Sequence, residues 1–225
     1  MKKLKYVSKI EFVEPIVPSS TLVPRWYQEI PTYVGDKLVV KDYSKNISIK
    51  NCMPFLDTLI SGYMLVTYQD IQVTQVNGLP TINWLIEPDP VVSRDAPPGV
   101  PIPHGCSKSH FGWLVPIHYK TPKGFSVLIT HPINRFDLPF TTLSAIIDCD
   151  KGMYGGLLPF YLKEGFEGVI PKGTPFAQII PFTKESWGLE KDNTLSDIAR
   201  KMKYLSGSVV KGWYRKSIWV KPSYK

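Results

Sequence analysis

Asp148 and Asp150 close an apolar run, Ala145-Ile146-Ile147, and a continuing strand would carry both carboxylates to one side. Two carboxylates so close can hold a divalent cation or share a proton. They can equally cap the turn that follows. Gln178 sits between Ala177 and Ile179 in a second apolar run, where its amide can face a ligand or bond across to a neighbouring subunit. His131, Asn134, Arg135 and Asp137 form the most polar cluster among the apolar stretches. Arg135 suits bidentate pairing with a phosphate or carboxylate, or it fixes a corner with Asp137. His131 has the chemistry of a general base, yet no serine or cysteine motif makes it half of a dyad. His104, Cys106 and His110 lie close together, but no paired spacing supplies the fourth ligand of a tetrahedral metal. They read as a loop with a buried thiol. No phosphate-binding or dinucleotide fingerprint occurs. No metal and no cofactor is expected.

The charge is unevenly placed. The net charge is +8, and residues 198–225 hold eight cations and no Asp or Glu. The rest of the chain is balanced. Trp213, Tyr214, Trp219 and Tyr224 are interleaved with Lys211, Arg215, Lys216 and Lys221. Such a tail can hold a phosphate backbone by charge and bases by stacking. The alternative is an arm that docks on an acidic neighbour.

Positioning these groups falls to short strands. The 225 residues are 43% apolar and include 21 prolines, which allows a sizeable core but interrupts helices and central strands. Three cysteines without paired spacing point to a reducing compartment rather than a disulfide framework. There is no signal-length or membrane-length apolar run. A protein that is not secreted and contacts no membrane is expected.

Residues 1–50 read as an extended arm punctuated by prolines, with Trp26-Tyr27 as an anchor. Residues 52–61 predict a helix ended by Gly62. Residues 63–76 predict one strand, Asn77-Gly78 a turn, and 81–86 the returning strand of a hairpin. Residues 87–105 hold six prolines and read as a stiff polyproline loop. Strands are predicted over 113–119, 125–130, 142–148, 157–162, 168–170 and 176–182. A helix capped by Asn193 carries Leu195, Ile198, Ala199, Met202 and Leu205 on one face, with Gly207 at its end. That face is expected to dock on the strand-rich body.

Residues 145–182 resemble the C-terminal half of the dUTPase and dCTP deaminase family. Ile146-Ile147-Asp148-Cys149-Asp150 matches one of its motifs, and residues 169–180, ending Ala177-Gln178-Ile179-Ile180, match another. Residues 122–132 fall where that family has a strand leading to a Pro-Arg-Ser motif. The match covers about 60 residues. The resemblance implies a β-clip barrel, with Asp148 orienting water, Gln178 near phosphates, and trimers with sites between subunits. The departures bear on activity. Lys151 stands where the family has its nucleoside-contacting tyrosine, and Tyr154 follows three residues later. Pro132-Ile133-Asn134-Arg135 replaces the phosphate-binding motif, and the glycine-rich C-terminal arm is absent. The segments 52–57 and 131–140 are also similar to proteins encoded by tailed phages.

The expected fold is therefore mainly β: a dUTPase-like β-clip barrel with an N-terminal arm and hairpin and one C-terminal helix. The expected divisions are an arm over 1–50, a core over 51–188 with its dUTPase-like part at about 111–182, a docking helix over 189–207 and a basic aromatic tail over 208–225. The first functional reading is a phage-type structural or interaction protein. It would form a homo-oligomer, with a trimer as one form, and contact virion or host proteins in the virion or the host cytoplasm. The second is a nucleotide-binding protein or triphosphate pyrophosphatase. In it Asp148 and Asp150 are catalytic, Asn134, Arg135, Tyr154 and Gln178 bind the ligand, and Mg²⁺ is required. The third is single-stranded nucleic-acid binding through Lys211, Trp213, Arg215, Lys216, Trp219 and Lys221.

Overall fold

The structure is a computed structural model and describes residues 2–34, 48–95, 98–205 and 213–225. In chain order its strands are β1 (Lys5–Ser8), β2 (Ile16–Pro18), β3 (Tyr63–Val66), β4 (Ile71–Val76), β5 (Leu79–Asn83), β6 (Val91–Arg94) and β7 (Cys106–Leu114). They continue with β8 (Ile117–Lys120), β9 (Phe125–Thr130), β10 (Phe140–Thr142), β11 (Ala145–Ile147), β12 (Leu157–Lys163), β13 (Gly168–Ile170) and β14 (Pro175–Thr183). The helices are α1 (Arg25–Glu29), α2 (Met53–Ile60), α3 (Ser196–Tyr204) and α4 (Trp213–Ser217).

The chain is mainly β, as its composition and turn pattern predict. The strands form four antiparallel sheets rather than one closed barrel, in the orders β11-β9-β14-β3-β2, β10-β12-β7-β6, β13-β4-β5 and β1-β8. Strands predicted as continuous break where the chain crosses from one sheet to the next. The run 63–76 divides into β3 and β4 because the Thr67 corner bonds elsewhere. Its N–H donates to the Thr174 carbonyl at 3.0 Å, its carbonyl accepts from Gly173 at 2.8 Å, and its hydroxyl donates to Pro171 at 2.7 Å. Pro116, with no N–H to donate, separates β7 from β8. The run 142–148 divides likewise: β10 pairs β12 and β11 pairs β9.

Trp113 joins the two larger sheets. Its ring stacks on Phe160 of β12 at 4.0 Å and on Phe176 of β14 at 4.9 Å, with Phe140 edge-on at 5.0 Å. Its indole N–H donates to Thr142 Oγ1 at 3.1 Å, and that hydroxyl donates to the Phe176 carbonyl at 2.7 Å. The buried polar atoms at this junction are thus satisfied while the aromatics fill it.

The N-terminal arm lies on its own body. β1 pairs with β8 and β2 with β3, and Tyr27 of α1 stacks on Phe55 of α2 at 5.8 Å. The predicted hairpin is present, with Asn77 and Gly78 both at positive φ between β4 and β5. The proline loop is not wholly a loop: β6 lies within it as an edge strand on β7, the position where nearby prolines cost no ladder bond. The C-terminal helix forms, but Asn193 does not cap it: a 3-10 turn, Asn193–Leu195, leads into it, and Asp192 caps that turn by accepting the Thr194 N–H at 2.8 Å. Gly207 lies outside the described residues. The apolar face of the helix is not buried among the described residues: Leu195, Ile198 and Met202 remain 52%, 55% and 41% exposed. No helix among the described residues is long and apolar enough to cross a membrane.

Candidate functional site

The polar residues singled out in the sequence fall into two separate groups. The first is a joint between α2, β14 and the corner over residues 131–138. Gln178 points from β14 into this joint and is wholly buried. Its Oε1 accepts the Ile133 N–H at 2.9 Å. Its Nε2 donates to the carbonyls of Thr58 at 2.9 Å and Ser61 at 2.7 Å. Asn134, in the left-handed region at φ 63°, donates from Nδ2 to Thr58 Oγ1 at 2.8 Å. Arg135 forms a bidentate pair with Asp137, with Nε and Nη2 each 2.9 Å from a carboxylate oxygen. Burial pushes the Asp137 carboxyl up, but its bonds to Arg135 outweigh this and hold it below its ordinary value. Gln178, Asn134 and Arg135 thus meet at one joint, with their polar atoms directed at protein groups.

His131 completes the corner. Its Nδ1 accepts the Thr142 N–H at 3.3 Å, so Nε2 carries the proton and donates to the Arg135 carbonyl at 3.0 Å. Burial lowers its pKa, and the nearby Lys163 and Arg135 charges act in the same direction. A native pKa below the unfolded value of about 6.5 means that the unfolded chain takes up the proton first. Stability should therefore be full above about pH 6.5 and fall as the pH drops below it. Urea unfolding across pH 5–8 checks this. His131→Gln should flatten that part of the profile, and an unchanged slope would exclude His131 as its source.

The second group is the strand end after β11. Asp148, exposed, and Asp150, partly buried, flank the buried Cys149 beyond the end of the strand at Ile147. Each has its own protein partner. Asp148 accepts from Ser126 Oγ at 2.7 Å and pairs with Lys184. The hydrogen bond from Lys184 holds its carboxyl below the usual range, aided by Ser126. Asp150 accepts the Gly124 N–H at 2.9 Å, so it caps the turn between β8 and β9 rather than the one that follows it in sequence. Tyr154 does not join them. It forms a two-bond bridge with Tyr119, at 2.8 and 2.9 Å, with the two rings edge to face at 5.7 Å.

His104, Cys106 and His110 do not converge. His104 is exposed, the Cys106 thiol faces Thr141 Oγ1 at 3.6 Å, and His110 stacks on Tyr161 at 4.9 Å.

The aromatic tail folds back on its own chain. The Trp219 indole donates to both Asp57 carboxylate oxygens at 2.9 and 3.0 Å. Tyr224 packs edge-on against Tyr63 at 5.8 Å. Arg215, Lys216 and Lys221 stay exposed, and Trp213 is half-buried. Lys211 lies outside the described residues. Beside this docked segment is a cleft of about 140 Å³ lined by Lys2, Lys3, Tyr63, Phe125, Tyr224 and Lys225, among others. Sequence reading missed Asp57, Lys184 and Tyr63 as partners. Asp57 and Trp219 are 162 residues apart, so no local pattern links them. A scan against protein-family models gives no match to this chain, and neither does a search of curated proteins.

Proposed function

We propose that this chain is a structural or interaction protein that assembles as a homo-oligomer and performs no chemistry of its own. The observation that carries the reading is the exposed apolar face of α3. Leu195, Ile198 and Met202 sit at helical spacing and are each about half exposed, and Trp187 and Leu189 on the approach are 87% and 104% exposed. Scattered exposed apolar residues are ordinary, but a stripe on one amphipathic helix is the signature of a covered face. The internal bonding of Asp148, Asp150, Arg135 and Gln178 supports the same reading. A hydrolase would need those groups to face water, phosphates and Mg²⁺. The similarity to tailed-phage proteins makes the virion or the host cytoplasm the setting, with virion or host proteins as further partners.

Light scattering and sedimentation on the full chain test the proposal, together with a panel of nucleoside triphosphates and Mg²⁺. The expected result is a mass of more than one chain and no pyrophosphate release. A monomer at all concentrations would overturn the assembly reading. Pyrophosphate release abolished by Asp148→Asn would establish the hydrolase instead. A second reading, nucleic-acid binding, draws on Arg215, Lys216 and Lys221, which stay exposed when Trp219 and Tyr224 are docked. It requires affinity for single strands that falls steeply with salt.

A further inference from the structure

The body carries an apolar knob that is held rigidly in solvent. Leu85 is 99% exposed and Ile86 is 49% exposed. An exposed leucine by itself means little. What distinguishes this one is the bonding beneath it. Gln69 is 3% exposed, and its Oε1 accepts the N–H groups of Leu85 at 3.3 Å and Ile86 at 2.9 Å. Its Nε2 donates to the Ile86 carbonyl. The neighbouring Tyr68 hydroxyl donates to the Pro88 carbonyl at 2.6 Å, and the Trp84 indole donates to Asp89 at 2.9 Å. A buried amide and a buried phenol therefore fix both sides of a loop whose Leu85 side chain stands almost wholly exposed among the described residues. A preorganised apolar tip loses little entropy on being covered, which is the property of an interface anchor.

The flanking charges select the partner. Glu87 and Asp89 follow the knob directly, and no Lys or Arg lies between Trp84 and Val91. The apolar stripe of α3 is flanked by Lys201 on one side and Lys203 on the other, and Asp197, the only acid in that helix, pairs with Arg200 on the far face. An acidic apolar knob and a basic apolar stripe are complementary. Resting on the assembly reading above, we propose that α3 of one copy seats its Leu195–Ile198–Met202 stripe on the Leu85–Ile86 knob of a second copy. Knob and stripe are different surfaces, so each copy offers one of each to its neighbours. The contact closes either as a reciprocal pair or as a ring.

Sedimentation equilibrium on the full chain tests this with substitutions at exposed positions, which leave the core untouched. Leu85→Glu and Ile198→Glu should each weaken association at least tenfold, and the double variant should be little worse than either alone. Glu87→Lys and Lys201→Glu should each weaken it, and combining them in one chain should restore it. Wild-type oligomers unaffected by Leu85→Glu would overturn the contact while leaving assembly itself standing. Loss with Leu85→Glu but none with Ile198→Glu would also overturn it, because the knob would then seat something other than α3. A wild-type monomer would overturn both the contact and the assembly reading.

Discussion

Gln178→Glu should destabilise the protein by about 3–5 kcal/mol, although it exchanges one nitrogen for one oxygen. The wild-type Nε2 donates to two carbonyls, those of Thr58 and Ser61, at a wholly buried position. A carboxylate there presents an oxygen to both. Two buried acceptors lose their donor, at about 1–3 kcal/mol each, and a charge without a counter-ion is buried beside them. The site can respond by keeping the carboxyl protonated, which restores one donor. Burial thus raises the native pKa of the new acid above its unfolded value of about 4.3. The deficit should accordingly be smallest below about pH 4 and grow as the pH rises through that native pKa. Urea midpoints from pH 4 to 8, with an unchanged m-value, measure it. A phosphate-facing glutamine predicts the opposite pattern: full stability and lost ligand affinity. An unchanged midpoint would therefore remove the structural account of this residue.

That same residue shows how far the sequence was legible. A glutamine in an apolar strand is visible as an anomaly, and its neighbours Ala177 and Ile179 define the strand correctly. Its partners are not visible. They lie 45, 117 and 120 residues away, and nothing local ties α2 or the Ile133 corner to β14. Local signals did their work where one turn or one helix decides the outcome. Asn77-Gly78 gave a hairpin, Gly62 ended α2, and β9, β12, β13 and β14 fall within a residue or two of their predicted runs. They failed where strands change sheets. Apolar alternation runs unbroken through Thr67, yet its hydroxyl and both backbone groups are committed to the turn over residues 171–174.

The carboxylates repeat the lesson from the other side. The two-residue spacing would set Asp148 and Asp150 on one side only if the strand continued, and β11 ends at Ile147. Spacing carries no information about what approaches either carboxylate. Lys184 comes from the end of β14 and the Gly124 N–H from the turn before β9. The tail is similar: its aromatic composition announced a ring contact, and Tyr224 meets Tyr63 of the same chain edge-on. For α3 the stripe was read correctly and its destination was not, because a docked and an undocked amphipathic helix have the same periodicity.

Gly62→Ala should be the most damaging small substitution in the α2–β14 joint. Gly62 sits at φ +72°, which costs an alanine about 1–2 kcal/mol by itself. Here there is also no room. A Cβ would lie 2.0 Å from the Ile179 carbonyl oxygen and 2.9 Å from its carbon. Both are backbone atoms of β14, which cannot yield easily. Residues 177–179 are laddered to β3, Gln178–Thr183 are laddered to β9, and Gln178 is tied to Thr58 and Ser61. The expected loss exceeds about 4 kcal/mol, the range reserved for severe core or backbone conflict. Such a loss consumes most of the stability of a domain at the low end of the usual range, so circular dichroism and proteolysis of the purified variant accompany the urea midpoint as readouts. Gly165→Ala isolates the steric part of the effect. Gly165 has nearly the same conformation, φ +70°, with nothing within 4 Å of its absent Cβ. It should cost only the conformational 1–2 kcal/mol or so and give a folded protein whose urea midpoint can be measured. Equal damage from the two substitutions would mean that α2 and β14 are not in the close contact described, and the explanation of the buried Gln178 would fall with it.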